Sequence, residues 1–470
     1  MNRSPILLAA LSLACSGGSP PVAPPDPGGD PPPAGGLAVV WEARTVEWGE
    51  GVTLRAELGG AAAPASTEWV SLGDLYMGEP VVLGRGAEIT TSALRPGTTL
   101  VEARVGELRR TVEVEVRYRE SWNLALEGRV PYADGTTGDV WVVDDVAVVA
   151  RRGAGGASIV RLDGLITEIG RFTMPDLFTQ DVKGADGIAY LSNEGNAAAQ
   201  PFSVAILDIS DPTAPALVGT VPRLHAPNAH NLWLEGSVLS IASPMGGDVV
   251  LVDVSDPAAP RRLNQVAAQD ATAHCVHARD GLLFGSFLPL RAGEIGELTI
   301  ADVSNPAAPA VLARIRYEHA FTHSAWLSAD GRHLFVADEV VNSPIRIFDV
   351  SNPAAPFLAG TYQPRLGTIP HNFQVRDGRF AYLANYKNGV EVVDVSDPTR
   401  PRLVGFYDTH PGIANDVGAG FPVALAPAHE GHAKGAGPFQ GAWGVHWTDD
   451  GRIVASDMNT GLYVFRYTGG

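Results

Sequence analysis

The sequence has little cysteine, little positive charge and no long apolar run. Its 470 residues include only two cysteines, which excludes a framework of several disulfides. Lys and Arg number 34 against 52 Asp and Glu, so the formal net charge is −18. Because nucleic-acid binders concentrate Lys and Arg, we predict no nucleic-acid partner. No apolar run reaches the roughly 18–20 residues that a membrane-spanning helix needs, so we predict no such helix.

The N-terminal stretch MNRSPILLAALSLAC has the layout of an export signal, with Arg3 ahead of an apolar run. It resembles a bacterial lipoprotein signal, although Ser12 stands where leucine is usual. The resemblance implies that residues 1–14 are removed and that Cys15 receives the lipid that anchors the chain to a membrane. Ser16 after the cysteine favours an outer-membrane lipoprotein of the cell envelope. A plain secretory signal is the alternative.

Two blocks separate this signal from the rest of the chain. Residues 15–36 are rich in Pro and Gly and have almost no apolar residues, so we predict a tether without a core. Residues 37–118 contain alternating segments such as VTLRAEL and TVEVEVRY, which are typical of strands with one buried face. This block resembles an immunoglobulin-like or PKD-like β-sandwich. We expect it to act as a spacer.

One phrase recurs five times between residues 206 and 401. It reads LVDVSDPAAP at 251–260, and degenerate copies at Asp163 and 461–467 bring the number to seven. Each copy contains four strand-like pieces separated by turn signals. The aspartates of the five clear copies are 45, 49, 47 and 45 residues apart, at Asp208, Asp253, Asp302, Asp349 and Asp394.

A period of about 40–50 residues with four short strands is typical of β-propeller blades. We therefore predict an all-β fold, with a seven-bladed β-propeller over residues 119–470 after the small sandwich. The segment 121–130 looks like a fourth strand without a preceding copy, and the C-terminal copy ends on its third strand. Pairing these two segments in one blade would remove the open edge of the array.

The phrases LVDVSDPAAP and NGVEVVDVSDP resemble the LVIVD repeat of exported bacterial and archaeal propeller proteins. The resemblance covers roughly residues 150–470 and implies a propeller fold, but it implies little about activity. The repeated aspartates allow two interpretations, metal binding or turn formation. Equivalent positions of different blades lie far apart, and Asp-Pro favours a turn, so we predict a structural role.

A histidine recurs where four innermost strands begin, in AHNLW, AHCVH, THSAW and PHNFQ. Innermost strands line the channel of a propeller, so these side chains would form an arc at one channel mouth. Neutral imidazoles there could bind Zn, Cu or Fe, or an anionic or polar small ligand. Alternatively, each histidine caps its own blade. The histidines are His230, His274, His323 and His371, and the other blades have Gly138, Gln180 and Trp443 at this position.

Two further features bear on the predicted mouth. A long insertion between Phe406 and Val445 would emerge on the same face, where His410, His429 and His432 could add a ligand. A mobile surface loop is the alternative. Cys275 follows His274 directly, and adjacent strand residues point to opposite faces. We therefore expect Cys275 to be buried between blades and not to act as a nucleophile.

The sequence has no phosphate loop, nucleophile elbow or dinucleotide fingerprint. We therefore predict a lipid-anchored, non-catalytic binding or scaffold protein that presents the propeller to a protein, glycan or small-molecule ligand. The alternative is a metal-dependent propeller enzyme, of oxidoreductase or hydrolase type, with a histidine-lined site at the channel mouth. That alternative rests on analogy between folds.

Overall fold

The computed structural model describes residues 36–41, 43–133, 136–195, 198–291, 293–411 and 439–470. These residues form strands and no helix, which confirms the all-β prediction for this part of the chain. Accordingly, the described residues include no helix able to cross a membrane. The predicted signal peptide, Cys15 and all but the last residue of the predicted tether lie outside them.

The N-terminal part consists of two sheets around one core. One sheet contains β1, β3, β4 and β7, and the other has the order β2-β9-β8-β5-β6. In each sheet alternate side chains point to the other sheet, and the apolar ones among them form the shared core. In β9, for example, Val112, Val114 and Val116 are buried, and the glutamates between them are exposed. The strands are β1 (Leu37–Trp41), β2 (Thr45–Glu47), β3 (Val52–Leu58), β4 (Ala61–Ala62), β5 (Glu68–Tyr76), β6 (Glu79–Arg85), β7 (Glu88–Thr91), β8 (Gly97–Val105) and β9 (Leu108–Arg117).

The next strands lead into a series of antiparallel sheets. The short strands that precede the series are β10 (Ser121–Trp122) and β11 (Leu124–Val130). The first three sheets are β12 (Thr137–Val143), β13 (Val146–Arg151), β14 (Gly156–Arg161) and β15 (Thr167–Thr173); β16 (Val182–Ala185), β17 (Ile188–Ser192), β18 (Phe202–Asp208) and β19 (Ala216–Pro222); and β20 (Asn231–Glu235), β21 (Val238–Ala242), β22 (Asp248–Asp253) and β23 (Arg261–Ala267).

The following sheets repeat this pattern. They are β24 (Ala271–Arg279), β25 (Leu282–Pro289), β26 (Glu297–Asp302) and β27 (Ala310–Ile315); β28 (Thr322–Leu327), β29 (His333–Asp338), β30 (Ile345–Asp349) and β31 (Phe357–Tyr362); β32 (Phe373–Arg376), β33 (Phe380–Ala384), β34 (Val390–Asp394) and β35 (Arg402–Tyr407), with β10 added beside β35; and β36 (Ala442–Trp447), β37 (Arg452–Asp457) and β38 (Gly461–Tyr467).

The sheets follow one another around a common axis. The first strand of each sheet contacts the first strand of the next, and β36 of the last sheet contacts β12 of the first. The last sheet has the order β11-β38-β37-β36, so the strand at 124–130 supplies its outer strand. This is the closure that the sequence predicts. The first strands therefore surround a central channel.

The repeated aspartates form local turns, as predicted. In each of the five clear copies the aspartate at the end of the third strand accepts a hydrogen bond from the backbone N–H two residues later. Asp253 Oδ1, for example, accepts from Ser255 N at 2.9 Å. Hydrogen bonds from Ser255, followed by Arg261, lower the pKa of Asp253 to about 2. The same bond is made by Asp208, Asp302, Asp349 and Asp394.

The N-terminal part packs directly on the propeller, and the spacer role expected for it stays a prediction. The Trp48 and Phe406 rings are 5.3 Å apart in a core that spans both parts. The Arg365 guanidinium lies over both rings and pairs with Glu391 at 2.9 Å, and both charged side chains are fully buried. Leu366 N also donates to the carbonyl oxygen of Ala93 at 2.7 Å. Apolar burial, together with the contact of Arg365 with the Trp48 ring, packs the two parts against each other.

Candidate functional site

Two of the four predicted histidines occupy β-bulges at the start of their strands, whereas His230 and His371 come just before β20 and β32. Ala273 pairs with Phe287 and Cys275 with Ser286, so His274 is the extra residue of its strand. His323 is the extra residue in β28 in the same way. A bulge locally bends the strand and re-aims side chains. We call the residues at this position the mouth layer, which comprises Gly138, Gln180, His230, His274, His323, His371 and Trp443.

The structure brings the four imidazoles of the mouth layer into one contiguous arc. Ring centroids are 4.0 Å apart between His230 and His274, and 4.5 Å between His274 and His323. The distance from His323 to His371 is 4.3 Å, and the Trp443 ring lies 4.3 Å beyond His371. All four histidines are buried. The sequence-based prediction of a histidine arc therefore corresponds to a real cluster of side chains.

Two glutamates face this arc from the loops after second strands. His230 Nδ1 lies 2.8 Å from Glu194 Oε1. Glu339 lies between two histidines, with Oε2 3.8 Å from His323 Nε2 and Oε1 3.9 Å from His371 Nε2. Each carboxylate therefore faces imidazole nitrogens of the arc.

Hydrogen bonds fix the orientation of the groups around Glu339. His371 Nδ1 donates to the carbonyl oxygen of Trp443 at 2.6 Å, which places the unprotonated nitrogen, Nε2, on the side of Glu339. The Tyr386 hydroxyl donates to Glu339 Oε1 at 2.7 Å. The ligand atoms of His323, Glu339 and His371 lie within 4.8 Å of one another, as do those of His274, Cys275 and His323. The mouth layer thus provides two overlapping sets of metal donors.

Burial sets the protonation of this cluster. Burial, followed by the neighbouring His371 and His230, holds the pKa of His323 well below its ordinary value. Burial also raises the pKa of Glu339 to about 7, against Tyr386 and His230, which lower it. A neutral imidazole is the form that binds a transition metal. His323 is therefore in its ligand form at neutral pH.

Cys275 is buried, as the sequence predicts, but it lies at the channel and not between blades. Its Sγ lies 3.4 Å from His274 Nδ1, and the side chain lines the channel with Asn231 and Ser324. Because His274 is the extra residue of a bulge, the period-two rule fails there, and adjacent side chains lie on the same side. Burial, followed by Asp181 and Glu339, raises the pKa of the Cys275 thiol well above its ordinary value.

The non-histidine positions of the mouth layer complete the surroundings. Gln180 Nε2 donates to Glu194 Oε2 at 2.8 Å. The guanidinium of Arg152 lies 4.8 Å from the centroid of Trp443, and burial lowers its pKa to about 10. Gly138 lies so close to the carbonyl of Gln180 that an added Cβ would be 2.3 Å from that oxygen. A histidine at this position would therefore clash.

A second layer lies three residues deeper along the same strands. We call it the aromatic layer, which comprises Trp141, Lys183, Trp233, His277, Trp326, Gln374 and His446. Trp233 and Trp326 are 5.0 Å apart, and His277 lies 4.2 Å from Trp233 and 4.7 Å from Trp326. The His446 ring lies 4.2 Å from Trp141. A cavity of about 40 Å³ adjoins this layer and is lined by residues that include Asn231 and Cys275. The aromatic rings pack the channel below the mouth.

The aromatic layer also contains a buried charge cluster. Lys183 Nζ lies 2.8 Å from Asp139 Oδ2 and 2.5 Å from Asp181 Oδ1. The same ammonium lies 4.7 Å from the centroid of Trp141. Burial opposes the charge of Asp139, but Lys183 lowers its pKa below the ordinary value. Burial, with Asp139 as a second cause, raises the pKa of Asp181 well above its ordinary value.

Sequence reasoning missed the carboxylates of the site. Glu194 comes two residues after β17, and Glu339 comes directly after β29. The segments that end the second strand in three copies can be aligned as LSNEG, VADEV and LANYK. The fourth residue of these segments is Glu194, Glu339 and Tyr386, respectively. The loop after the second strand is thus the informative signal.

The predicted loop contribution stays a prediction. His410 N donates to Asp408 Oδ1 at 2.9 Å, and the donor groups found among the described residues do not include His410. His429 and His432 lie outside the described residues.

Comparison with known proteins identifies the repeat and the fold. The LVIVD repeat matches the chain at residues 198–222, 227–266, 292–316, 324–363 and 376–409. No curated protein matches the chain. The β-propeller domain of Cps50 (Swd1) from Myceliophteria thermophila is a structural match, with a TM-score of 0.52 and 13% identity over 73% of this chain and 99% of that one. At this identity the match supports the fold and not a function. The chain is therefore a β-propeller protein built with LVIVD repeats.

Proposed function

We propose that this protein is an exported, lipid-anchored binding protein that holds a transition-metal ion at the mouth of a seven-bladed β-propeller. The order of the sheets and the contact between β36 and β12 support seven blades in a closed ring. The two packed N-terminal sheets support an immunoglobulin-like sandwich at residues 37–118. The signal-like N-terminus with Cys15 supports export and attachment to the outer membrane.

The observation that supports metal binding most directly is the group formed by His323, Glu339 and His371. Two ligands at about 2.1 Å from a tetrahedral zinc ion lie about 3.4 Å apart. The two nitrogen-to-oxygen distances of 3.8 and 3.9 Å therefore need only a small closure. The bond from His371 Nδ1 to a backbone carbonyl is also the outer-shell contact that metal-bound imidazoles usually make. Zn, Cu and Fe all accept this donor set.

The simpler alternative is that each histidine only caps its blade. The geometry does not favour this role for His323, which is 1% exposed and whose Nδ1 has no hydrogen-bond partner among the described residues. A buried polar atom without a partner costs about 1–3 kcal/mol. A cap would satisfy its nitrogens by hydrogen bonds, whereas a metal ligand uses a nitrogen lone pair instead. The Glu339 carboxylate beside Nε2 distinguishes His323 from such a cap, so its ring is better explained as a ligand.

We propose that the bound ion takes part in binding a protein, glycan or small-molecule ligand at the channel mouth. One observation favours a metal-dependent enzyme as the second candidate. Among the described residues the proposed ion has three protein ligands, and catalytic zinc sites keep a fourth position open for water or substrate. In that case His323, His371 and Glu339 hold the ion, which supplies Lewis-acid chemistry. A hydrolase or oxidoreductase activity that depends on added metal would favour the enzyme.

The test of metal binding uses the full chain purified in detergent and stripped with a chelator. We expect about one equivalent of Zn²⁺ to bind by calorimetry, and we expect the affinity to fall at least tenfold in the double variant His323→Ala/His371→Ala. The matched control is His333→Gln, which removes a histidine at the start of β29, outside the mouth layer. Equal binding by the double variant, or no binding by the natural chain, would overturn the proposal.

Lipid attachment is tested separately. If Cys15 carries the lipid, the variant Cys15→Ser should no longer be found in the membrane fraction.

A further inference from the structure

We propose that Cys275 is a thiolate ligand of the mouth, so that His274, Cys275 and His323 form a site for a soft transition-metal ion such as Cu(I) or Zn(II). The proposal rests on the proposed function, because it assumes that the mouth binds metal. It extends that function by naming the class of ion that the site selects. It also gives Cys275 a role, although sequence reasoning places this residue between blades.

The geometry of the thiol supports this role. Cys275 Sγ is 3.4 Å from His274 Nδ1, and the ligand atoms of His274, Cys275 and His323 lie within 4.8 Å of one another. All three side chains are buried, Cys275 being 5% exposed. The bulge at His274 brings the sulfur to the channel side of the strand. Three donors of the right types therefore converge where the sheet geometry holds them.

The surroundings of Cys275 differ from those of an ordinary core cysteine. A free buried cysteine usually packs as a small apolar side chain. Here the sulfur lines the channel among polar side chains, and the neighbours that line the same cavities include Asp181, Asn231, Ser324 and Asn372. His323 independently indicates a ligand, because this buried ring has an Nδ1 without a hydrogen-bond partner among the described residues. The position is thus suited to metal binding.

The chemistry of the two donor sets separates hard from soft ions. Both sets include His323, but one adds the Glu339 carboxylate and the other adds the Cys275 sulfur. Thiolates select Cu(I) and Zn, whereas carboxylates suit Mg, Ca and Mn. Binding to sulfur replaces the S–H bond by an S–metal bond and releases one proton to solvent, with no change in oxidation state. The shared His323 makes the two sets neighbours within one centre.

Cobalt(II) is the probe that tests this proposal. The full chain, freed of metal by a chelator, is titrated with Co²⁺, and its absorption is recorded. Coordination by the site gives visible d–d bands, and a cobalt–thiolate bond adds an intense charge-transfer band in the near ultraviolet. We expect both in the natural chain. In Cys275→Ser we expect the charge-transfer band to disappear while d–d bands persist, and we expect Cu(I) affinity to fall at least tenfold.

The matched variant is Glu339→Gln, which changes the other donor set and should keep the charge-transfer band. Visible d–d bands without a charge-transfer band in the natural chain would overturn the role of Cys275 and leave the proposed metal function intact. No cobalt or zinc binding at all would overturn both. Because the decisive spectrum is that of the natural chain, the test does not depend on the folding of any variant.

Discussion

The mouth layer and the aromatic layer use the same residue type in opposite ways. In the mouth layer, His371 donates to a backbone carbonyl and lies beside the Glu339 carboxylate. In the aromatic layer, His277 lies between two tryptophan rings, and neither of its ring nitrogens has a hydrogen-bond partner among the described residues. The two histidine layers are only three residues apart along the inner strands. A repeated histidine is thus a candidate ligand only where carboxylates or other donors face it.

The largest effect is expected from the charge cluster of the aromatic layer. Lys183→Met removes the ammonium that pairs with Asp139 and Asp181 and leaves two buried carboxyl groups together without a cation. Breaking a buried pair in this way costs about 3–5 kcal/mol. We expect a loss of that size in the unfolding free energy, measured by urea denaturation. The neutral triple variant Asp139→Asn/Asp181→Asn/Lys183→Met should recover most of it; a triple variant as unstable as the single one would contradict this explanation.

A smaller effect is expected from acidification. Burial lowers the pKa of His277 to about 3, whereas an unfolded histidine titrates near 6.5. Between these two values the unfolded state binds more protons, so stability is complete above pH 6.5 and falls as the pH drops toward 3. At pH 5 the protein has lost about 2 kcal/mol of the stability that neutral His277 contributes above pH 6.5. The unfolding free energy is measured at pH 8 and at pH 5. The difference between the two values should be about 2 kcal/mol smaller in His277→Phe than in the natural chain.

The same measurement has an internal check. Burial lowers the pKa of His446 to about 4, so His446→Phe should reduce the pH dependence by a similar amount. If the pH dependence of the unfolding free energy is unchanged in both variants, these histidines do not differ in protonation between the folded and unfolded states. The contrast drawn between the two layers would then fail.

The smallest effect on stability is expected in the mouth layer. His274→Gln keeps a similar volume and a side chain that can form hydrogen bonds. We expect the unfolding free energy of the metal-free protein to change by less than about 1 kcal/mol, as for most substitutions without a core cavity. Chemical denaturation of metal-free natural and variant protein measures this. A loss as large as that of Lys183→Met would show that the mouth layer is structural.

The architecture was predictable because it depends on repetition. One phrase with a regular period revealed the sheets, and the Asp-Pro turns predicted from LVDVSDPAAP agree with the hydrogen bonds of Asp253. Of the unpaired segment at 121–130, residues 124–130 pair with β38 as predicted, whereas Ser121 and Trp122 pair with β35 of the preceding sheet. The packing of Trp48 on Phe406 was not predictable, because it depends on two surfaces that are distant in sequence and share no pattern.

The site was predictable only in part, for a similar reason. The histidines repeat, so their register was visible in the sequence. Glu194 and Glu339 occupy the same position after the second strand of their copies, but only these two copies have a glutamate there, so the carboxylates did not stand out as a repeat. Cys275 was misassigned because a bulge inserts one residue and breaks the alternation of strand faces. Period-two reasoning holds only where the ladder of hydrogen bonds is regular.

The pairing of β11 with β38 has a consequence for the order of folding. Leu124 pairs with Tyr467, so the outermost strand of the last sheet forms early in synthesis and its partner forms last. Contacts of such long sequence separation slow folding. Until β38 is synthesised β11 has no partner in its sheet, and until β36 is synthesised β12 lacks that neighbour. Export of an unfolded chain that folds only once complete would avoid exposing these open edges to other molecules.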